Sequence, residues 1–347
     1  MVNDIANELA SRVCEAHDRH LPLSIRGSGS KRFLTGEATG TPLDVTGHRG
    51  IVSYEPTELV LTARAGTPLR EIEQVLAQHN QMLAFEPPHF GPNATLGGTI
   101  ACNLSGPRRP WSGATRDFVL GTKIINGQGE ILSFGGQVMK NVAGYDVSRL
   151  MAGARGTLGV LLDVSLKVLP RPAQETTLTF ESTADEAIER MNAWSGQPLP
   201  LSGACHSGNT LHLRLSGTES ALRAAHTRLG GEAHERGPAY WEDLREHRRA
   251  FFKGDAPLWR LSLPPATPIQ HLPGKWIIDW GGAQRWLQTD ASPEEIHRAA
   301  TAAGGYAQPW RGVSGQATTP LSAVLLRLHE KLKLAFDPAG LLNASAT

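Results

Sequence analysis

From Pro92 to Gly106 the chain reads Pro-Asn-Ala-Thr-Leu-Gly-Gly-Thr-Ile-Ala-Cys-Asn-Leu-Ser-Gly, almost without charge, with an apolar register through Leu96, Ile100 and Leu104. A surface linker would be more polar. A segment this rich in glycine and small side chains suits backbone held close to a large flat ligand, where a side chain would block approach. It runs on into Gly113-Ala114-Thr115-Arg116-Asp117. A related stretch, Gly144-Tyr145-Asp146-Val147 through Gly153-Ala154-Arg155-Gly156-Thr157-Leu158-Gly159-Val160, leads into a strand in which Val160, Leu162, Val164, Leu166 and Val168 alternate with Leu161, Asp163, Ser165 and Lys167.

An earlier loop, Arg26-Gly27-Ser28-Gly29-Ser30-Lys31, combines glycines that free the backbone N–H groups with hydroxyls and two cations, which suits a phosphate. It lacks the third glycine of a dinucleotide-binding fingerprint and the Gly-Lys-Ser/Thr ending of a P-loop. Alone it does not distinguish a ligand loop from a surface turn.

The length of 347 residues fits two domains. The first opens with a helix carrying Ile5, Leu9, Val13 and Ala16 on one face, followed by a strand from Leu21 to Ile25. A second strand, Leu59 to Arg64, leads to Thr67 as helix cap, Pro68 at the first helical position, and a face of Leu69, Ile72, Val75 and Leu76. Asn126-Gly127-Gln128-Gly129 reads as a hairpin turn. Pro170-Arg171-Pro172 marks the boundary. Beyond it the expected elements are strands at Thr177 to Phe180 and Leu211 to Leu215, helices at Asp185 to Trp194 and Ala221 to Leu229, a hairpin of Trp276 to Trp280 with Gln284 to Leu287, a helix from Pro293 and a last one from Leu321 to Leu334. That order gives an α+β class with helices on one face of an antiparallel sheet.

Several function classes are excluded by composition. Lys plus Arg (34) and Asp plus Glu (33) nearly cancel, so charge gives no reason to expect nucleic acid or a membrane surface as partner. Cys14, Cys102 and Cys205 form no C-x-x-C pair, so an iron–sulfur cluster would have to sit on another chain. The N-terminal residues have no apolar leader pattern, and the expectation is a cytoplasmic protein that meets a membrane only through partners.

The ordered set Arg-Gly-Ser-Gly, Thr-Leu-Gly-Gly-Thr-Ile-Ala, Arg-Asp-Phe-Val-Leu-Gly, Gly-Tyr-Asp and Gly-Thr-Leu-Gly-Val resembles the FAD-binding PCMH-type domain of the vanillyl-alcohol oxidase family, over about residues 1–172. Glu86 to Pro92, Gly106 to Trp111 and Val142 to Asp146 are most similar to the smaller FAD-binding subunits of bacterial glycolate oxidases. The fold implied is α+β, a PCMH-type FAD-binding domain (1–172) followed by a smaller α+β substrate or partner domain with an antiparallel sheet (173–347). The resemblance implies a pyrophosphate loop at Arg26, Gly27, Ser28, Gly29, Ser30 and Lys31. It implies a second loop beside pyrophosphate and isoalloxazine at Thr95, Leu96, Gly97, Gly98, Ala101 and Ser105. Arg116, Asp117, Gly153, Gly156, Thr157, Gly159 and Val160 fall around the ribose, adenine and outer flavin edge, and Pro88 and Asp146 belong to the same set. Some members tether the flavin through a histidine in the first loop, where this chain has Ser30 and Lys31, so dissociable, non-covalent FAD is expected. Phe336-Asp337-Pro338 is similar to the family's closing motif, although relatives more often continue Asn-Pro-Gly where this chain has Leu342-Asn343-Ala344.

Oxidation of a 2-hydroxy acid needs a hydride acceptor, a base for the hydroxyl proton and cations for the carboxylate. FAD supplies the first. The sequence assigns no catalytic base and no metal site. His206 and His212 read as exposed hairpin residues or as a base or metal pair, Arg245, Arg248 and Arg249 as a solvated helix face or a carboxylate clamp, and Trp276, Trp280 and Trp286 as core or interface rather than cofactor box. His89 is a candidate for a place near the flavin. The resemblance implies glycolate oxidation to glyoxylate beside a larger FAD-binding subunit and an iron–sulfur subunit. A free-standing FAD oxidoreductase and a non-catalytic assembly subunit remain the alternatives.

Overall fold

The computed structural model describes residues 3–34, 39–136, 145–313 and 321–343. The chain forms two compact units. The first takes Met1–Ser105, Gly113–Arg171 and the chain from Leu321 on, and the second takes Gly106–Ser112 and Pro172–Pro320.

In the first unit five antiparallel strands pair in the order Ile51–Glu55, Val60–Arg64, Val160–Lys167, Val119–Ile125, Ile131–Gly135. The alternating strand lies in the middle of this sheet, and it is buried on both faces where alternation predicts one. Leu161, Val164 and Leu166 face one core with the helix Leu69–Gln78, while Val160 and Leu162 face another with the opening helix Ala6–Asp18. Its buried Ser165 hydroxyl is satisfied by Thr62 Oγ1 at 2.8 Å. Each fully buried aliphatic side chain here contributes roughly 1.5–3 kcal/mol. The Asn126 turn forms as expected, with Asn126 Oδ1 accepting from the N–H groups of Gln128 and Glu130. Thr67 is not the helix cap. Pro68 occupies that position, and the Thr67 hydroxyl instead accepts from Gly50 N at 2.9 Å.

The second unit is built on one eight-stranded antiparallel sheet, in the order Glu232–Ala233, Gln174–Glu181, Thr210–Gly217, Leu201–Ser207, Lys275–Asp279, Gln284–Gln288, Leu258–Ser262, Tyr306–Arg311. The hairpin across Gly281-Gly282 forms, and both glycines have positive φ (64° and 104°). Four strands escape the sequence patterns, among them the two-residue Glu232–Ala233. Leu201–Ser207 is Leu-Ser-Gly-Ala-Cys-His-Ser and carries no alternation, Leu258–Ser262 is short, and Tyr306–Arg311 contains Pro309. Pro309 is tolerated because its strand lies at the sheet edge, where one side of the backbone needs no partner.

The division departs from residues 1–172 and 173–347 at two places. Arg108 pairs with Glu175 and donates to Ser216 Oγ, and Trp280 Nε1 donates to Gly106 O at 3.0 Å, which binds Gly106–Ser112 into the second unit. At the other end, Leu332 and Phe336 pack on the first unit's core, and Lys333 Nζ donates to Thr157 O and Leu342 O. No helix among the described residues is long and apolar enough to cross a membrane.

Candidate cofactor site

Two cavities of the first unit share the walls Ile25, Gly27, Gly98, Ala101, Arg155 and Asn343. The larger, about 560 Å³, follows the loop from Ser24 to Arg32 and meets Thr95 and Cys102. Its size falls within the roughly 300–1,000 Å³ of small-molecule sites. The smaller, about 80 Å³, is lined by Val45, Ala65, Met151, Ala154 and Leu161 together with Gly97, Gly156 and Gly159.

The first loop leaves strand Leu23–Arg26, which pairs in parallel with Thr41–Asp44. Gly29 turns the chain at φ 76°, a conformation that glycine adopts without strain. Gly27 is needed for space, since a Cβ there would lie 2.8 Å from Thr95 Oγ1. Thr95 caps the helix Leu96–Cys102 by accepting from Gly98 N at 3.3 Å. Gly97 brings that helix onto the end of the neighbouring strand, with its N–H donating to Ala65 O at 2.7 Å and an added Cβ meeting Ala65 Cβ at 2.8 Å. The Lys31 side chain is buried, with Nζ 3.3 Å from His89 O.

Four cations, Arg26, Lys31, Arg32 and Arg155, line the larger cavity, and no carboxylate is among its described lining residues. The smaller is apolar and kept open by glycines. An anionic pyrophosphate carrying a flat apolar ring fits this pairing of a cationic cleft with a glycine-walled slot. Burial pushes the Cys102 thiol above its ordinary pKa, against the pull of Lys31 and Arg155, so it stays protonated and unreactive.

Of the positions expected at the site, Arg26 to Lys31, Thr95, Gly97, Gly98, Ala101, Gly156 and Gly159 line these cavities. The others have different places. Leu96 and Val160 are core residues. Ser105 Oγ bonds Thr115, Asp117 accepts from Ala114 N, and Arg116 N donates to Asn103 Oδ1. Asp146 caps a short helix and pairs with Arg149, Thr157 Oγ1 closes a turn on Ala154 O, Gly153 packs on Asn103, and Pro88 is buried between the left-handed residues Glu86 and Phe90. Gly144, with Val142 and Ala143, lies outside the described residues.

Sequence reasoning passed over Asn343 and Arg155. Asn343 accepts from Ile25 N (2.8 Å), donates to Arg155 O (2.7 Å), and sits at φ 43°, which asparagine tolerates better than most residues. Asp337 places it by accepting from the N–H groups of Leu341 and Leu342 while paired to Lys333. The closing motif was the available signal.

The other candidates resolve differently. His89 turns its imidazole to Glu73 (3.1 Å) and meets Lys31 of the first loop through its carbonyl. His206 and His212 are not exposed: His206 Nε2 bonds Ser182 O, and His212 stacks on Tyr240 at 3.8 Å. Desolvation, with Arg249 and His234 nearby, lowers the His212 pKa to about 3. Only Arg245 of the arginine trio lies on the helix Gly237–Arg245. Arg248 pairs with Glu242 and Asp243, and Arg249 lies over the Tyr240 ring. Trp276 and Trp286 are packed among apolar and aromatic side chains, while Trp280 carries the guanidinium groups of Arg109 and Arg260.

Residues 4–135 match the family model of an FAD binding domain. Over 98% of its length the chain is 52% identical to glycolate oxidase subunit GlcE of Escherichia coli K12, covering 96% of that subunit. The chain belongs to the GlcE family. It carries that family's FAD-binding domain of the PCMH type. Over 52% of its length the chain is also 32% identical to glycolate oxidase subunit GlcD of Bacillus subtilis, and over 47% it is 34% identical to a D-2-hydroxyglutarate dehydrogenase of Xanthomonas citri, spanning 38% and 33% of those chains. An alkyldihydroxyacetonephosphate synthase, solved in two crystal forms, shares the fold at 15% and 14% identity, with a TM-score of 0.66 over 97% of this chain and 75% of the other.

Proposed function

We propose that this chain is the smaller FAD-carrying subunit of a glycolate oxidase, which converts glycolate to glyoxylate and passes the electrons through a larger FAD subunit and an iron–sulfur subunit. The near end-to-end match to GlcE carries this reading. The chain is an FAD-dependent oxidoreductase acting on the CH–OH group of a 2-hydroxy acid. When bound, FAD supplies the hydride acceptor.

In this reading Arg26, Lys31, Arg32 and Arg155 hold the pyrophosphate by charge. Gly27 and Gly98 keep the backbone clear of it, and Ile25, Val45 and Leu161 exclude water from the ring's slot. The cofactor is non-covalent, because the first loop offers a hydroxyl and an ammonium where a tethering histidine would stand. The described cavity walls present cations but no imidazole or carboxylate, which supports a base supplied from outside the cleft. The second unit serves substrate or partners, and the protein works in the cytoplasm, meeting a membrane only through those partners.

The test is to express the chain with its genomic neighbours, purify it, count flavins and irons, and follow glycolate-dependent dye reduction. Activity and iron that appear only with the partners are the expected result. An isolated chain turning over glycolate at the complex's rate would overturn the shared-machine reading. A yellow precipitate after acid treatment would overturn non-covalent binding.

A further inference from the structure

The last helix, Ala323–Phe336, has no buried residue. Leu321, Val324, Leu325 and Leu328 are 46–66% exposed. At 3.6 residues per turn, Leu325, Leu328 and Leu332 form one stripe with Val324 beside it, Leu321 lies just ahead of the helix, and the exposed Leu326 and Leu334 fall on its other side. The stripe changes character along its length. At its far end Leu332 and Phe336 pack on the first unit's core and Lys333 is fixed by two carbonyls and Asp337, while its first two turns carry the same leucines into solvent. Apolar patches of this kind on soluble proteins mark docking surfaces.

The flanking segments hold no large apolar side chain to match the stripe. Residues 314–320 read Ser-Gly-Gln-Ala-Thr-Thr-Pro and 344–347 read Ala-Ser-Ala-Thr. Charge narrows the choice of partner further. Arg327 and Lys331 border one side of the stripe, so two copies meeting through this face would set the basic rim against itself. The spacing of the exposed part is that of a helix seated in a groove.

We infer that the exposed stripe Leu321–Val324–Leu325–Leu328 docks into an apolar groove with an acidic rim on a different subunit of the oxidase. This inference rests on the subunit reading above and adds the surface through which assembly occurs.

The test compares the full chain with L325D/L328D and with L334D, whose substitution lies on the opposite side of the same helix. Each is co-expressed with the genomically neighbouring subunits and examined by size-exclusion chromatography with flavin and iron counts. The expected result is that the wild type and L334D assemble, while L325D/L328D keeps its FAD and its melting temperature but loses at least tenfold in complex yield. Assembly of L325D/L328D at wild-type yield overturns this surface and leaves the subunit reading intact. A wild type that assembles with nothing overturns both. A fall in the melting temperature of isolated L325D/L328D shows the stripe covered by the chain itself and overturns the inference. So does a wild-type homodimer, or binding to phosphatidylglycerol vesicles, that the double substitution abolishes while the complex persists.

Discussion

The two units hold their functional polarity in opposite ways. The first makes room by omission, with Gly27, Gly97, Gly98, Gly156 and Gly159 leaving backbone where side chains would stand, and the site's cations Arg26, Lys31, Arg32 and Arg155 set along the larger cavity. The second fills its interior with large polar and aromatic side chains. Arg285 is fully buried, with Nη1 and Nη2 donating to the carbonyls of Pro268 and Thr267, His212 stacks on Tyr240, and the Trp241 indole donates to Thr177 Oγ1. A cavity walled by glycine accepts a ligand, whereas an interior filled by large side chains specifies one packing and resists protonation. Inserted volume should therefore act on cofactor affinity in the first unit and on stability in the second.

The largest expected effect is at Gly27. Gly27→Val pushes into Thr95, which caps the next helix, and should weaken FAD binding by about 100-fold, equivalent to about 2.7 kcal/mol. Flavin fluorescence titration of the apoprotein measures this. The matched change in the second unit, Gly203→Val, meets the Trp241 ring at 3.1 Å and should lower the melting temperature without altering FAD affinity. Equal loss of FAD affinity in both variants would break the comparison.

Acid comes next. Buried His212 titrates at about 3 in the folded protein against an ordinary 6.5. Between these values the unfolded chain binds a proton that the folded state refuses, so His212 costs no stability above pH 6.5 and progressively more as pH falls toward 3. At pH 4.5 the loss is roughly 2–3 kcal/mol from this residue. His247, also lowered to about 3 by burial with Arg260 and Arg311 nearby, adds to it. Urea unfolding at pH 7 and 4.5 should show the loss, and His212→Phe should reduce it. An unchanged pH dependence in that variant would remove the histidine from the account.

Asn343→Ala tests the wall that the tail contributes. It deletes a hydrogen bond to Ile25 N and another to Arg155 O at a residue lining both cavities. At about 1 kcal/mol per hydrogen bond, FAD affinity should fall by roughly ten- to thirtyfold. The melting temperature should move only a few degrees. Smallest is Arg248→Ala, which removes exposed pairs with Glu242 and Asp243 and should change stability by about 0.5 kcal/mol or less. A larger loss would mean that the pairs hold the Tyr240 region in place.

The glycine loops could be read from sequence because their requirement is local: a turn such as that at Gly29, with φ 76°, demands glycine whatever the rest of the chain does. Thr157 and Ser105 were read as part of the same surface, yet their hydroxyls close turns on Ala154 and Thr115. Sequence proximity to a glycine loop does not set the direction of a side chain. Asn343 and Arg155 show the reverse, since a bond across 188 positions leaves no periodic trace.

The sequence by itself determined the glycine loops, the alternating central strand and the hairpins at Asn126 and Gly281, because turn geometry and strand period are properties of a few consecutive residues. Tertiary structure alone decided that Gly106–Ser112 joins the second unit, that the tail from Leu321 returns to the first, and that His206 and His212 are buried. Those outcomes depend on which distant groups satisfy a guanidinium, an indole or a carboxylate once water is removed.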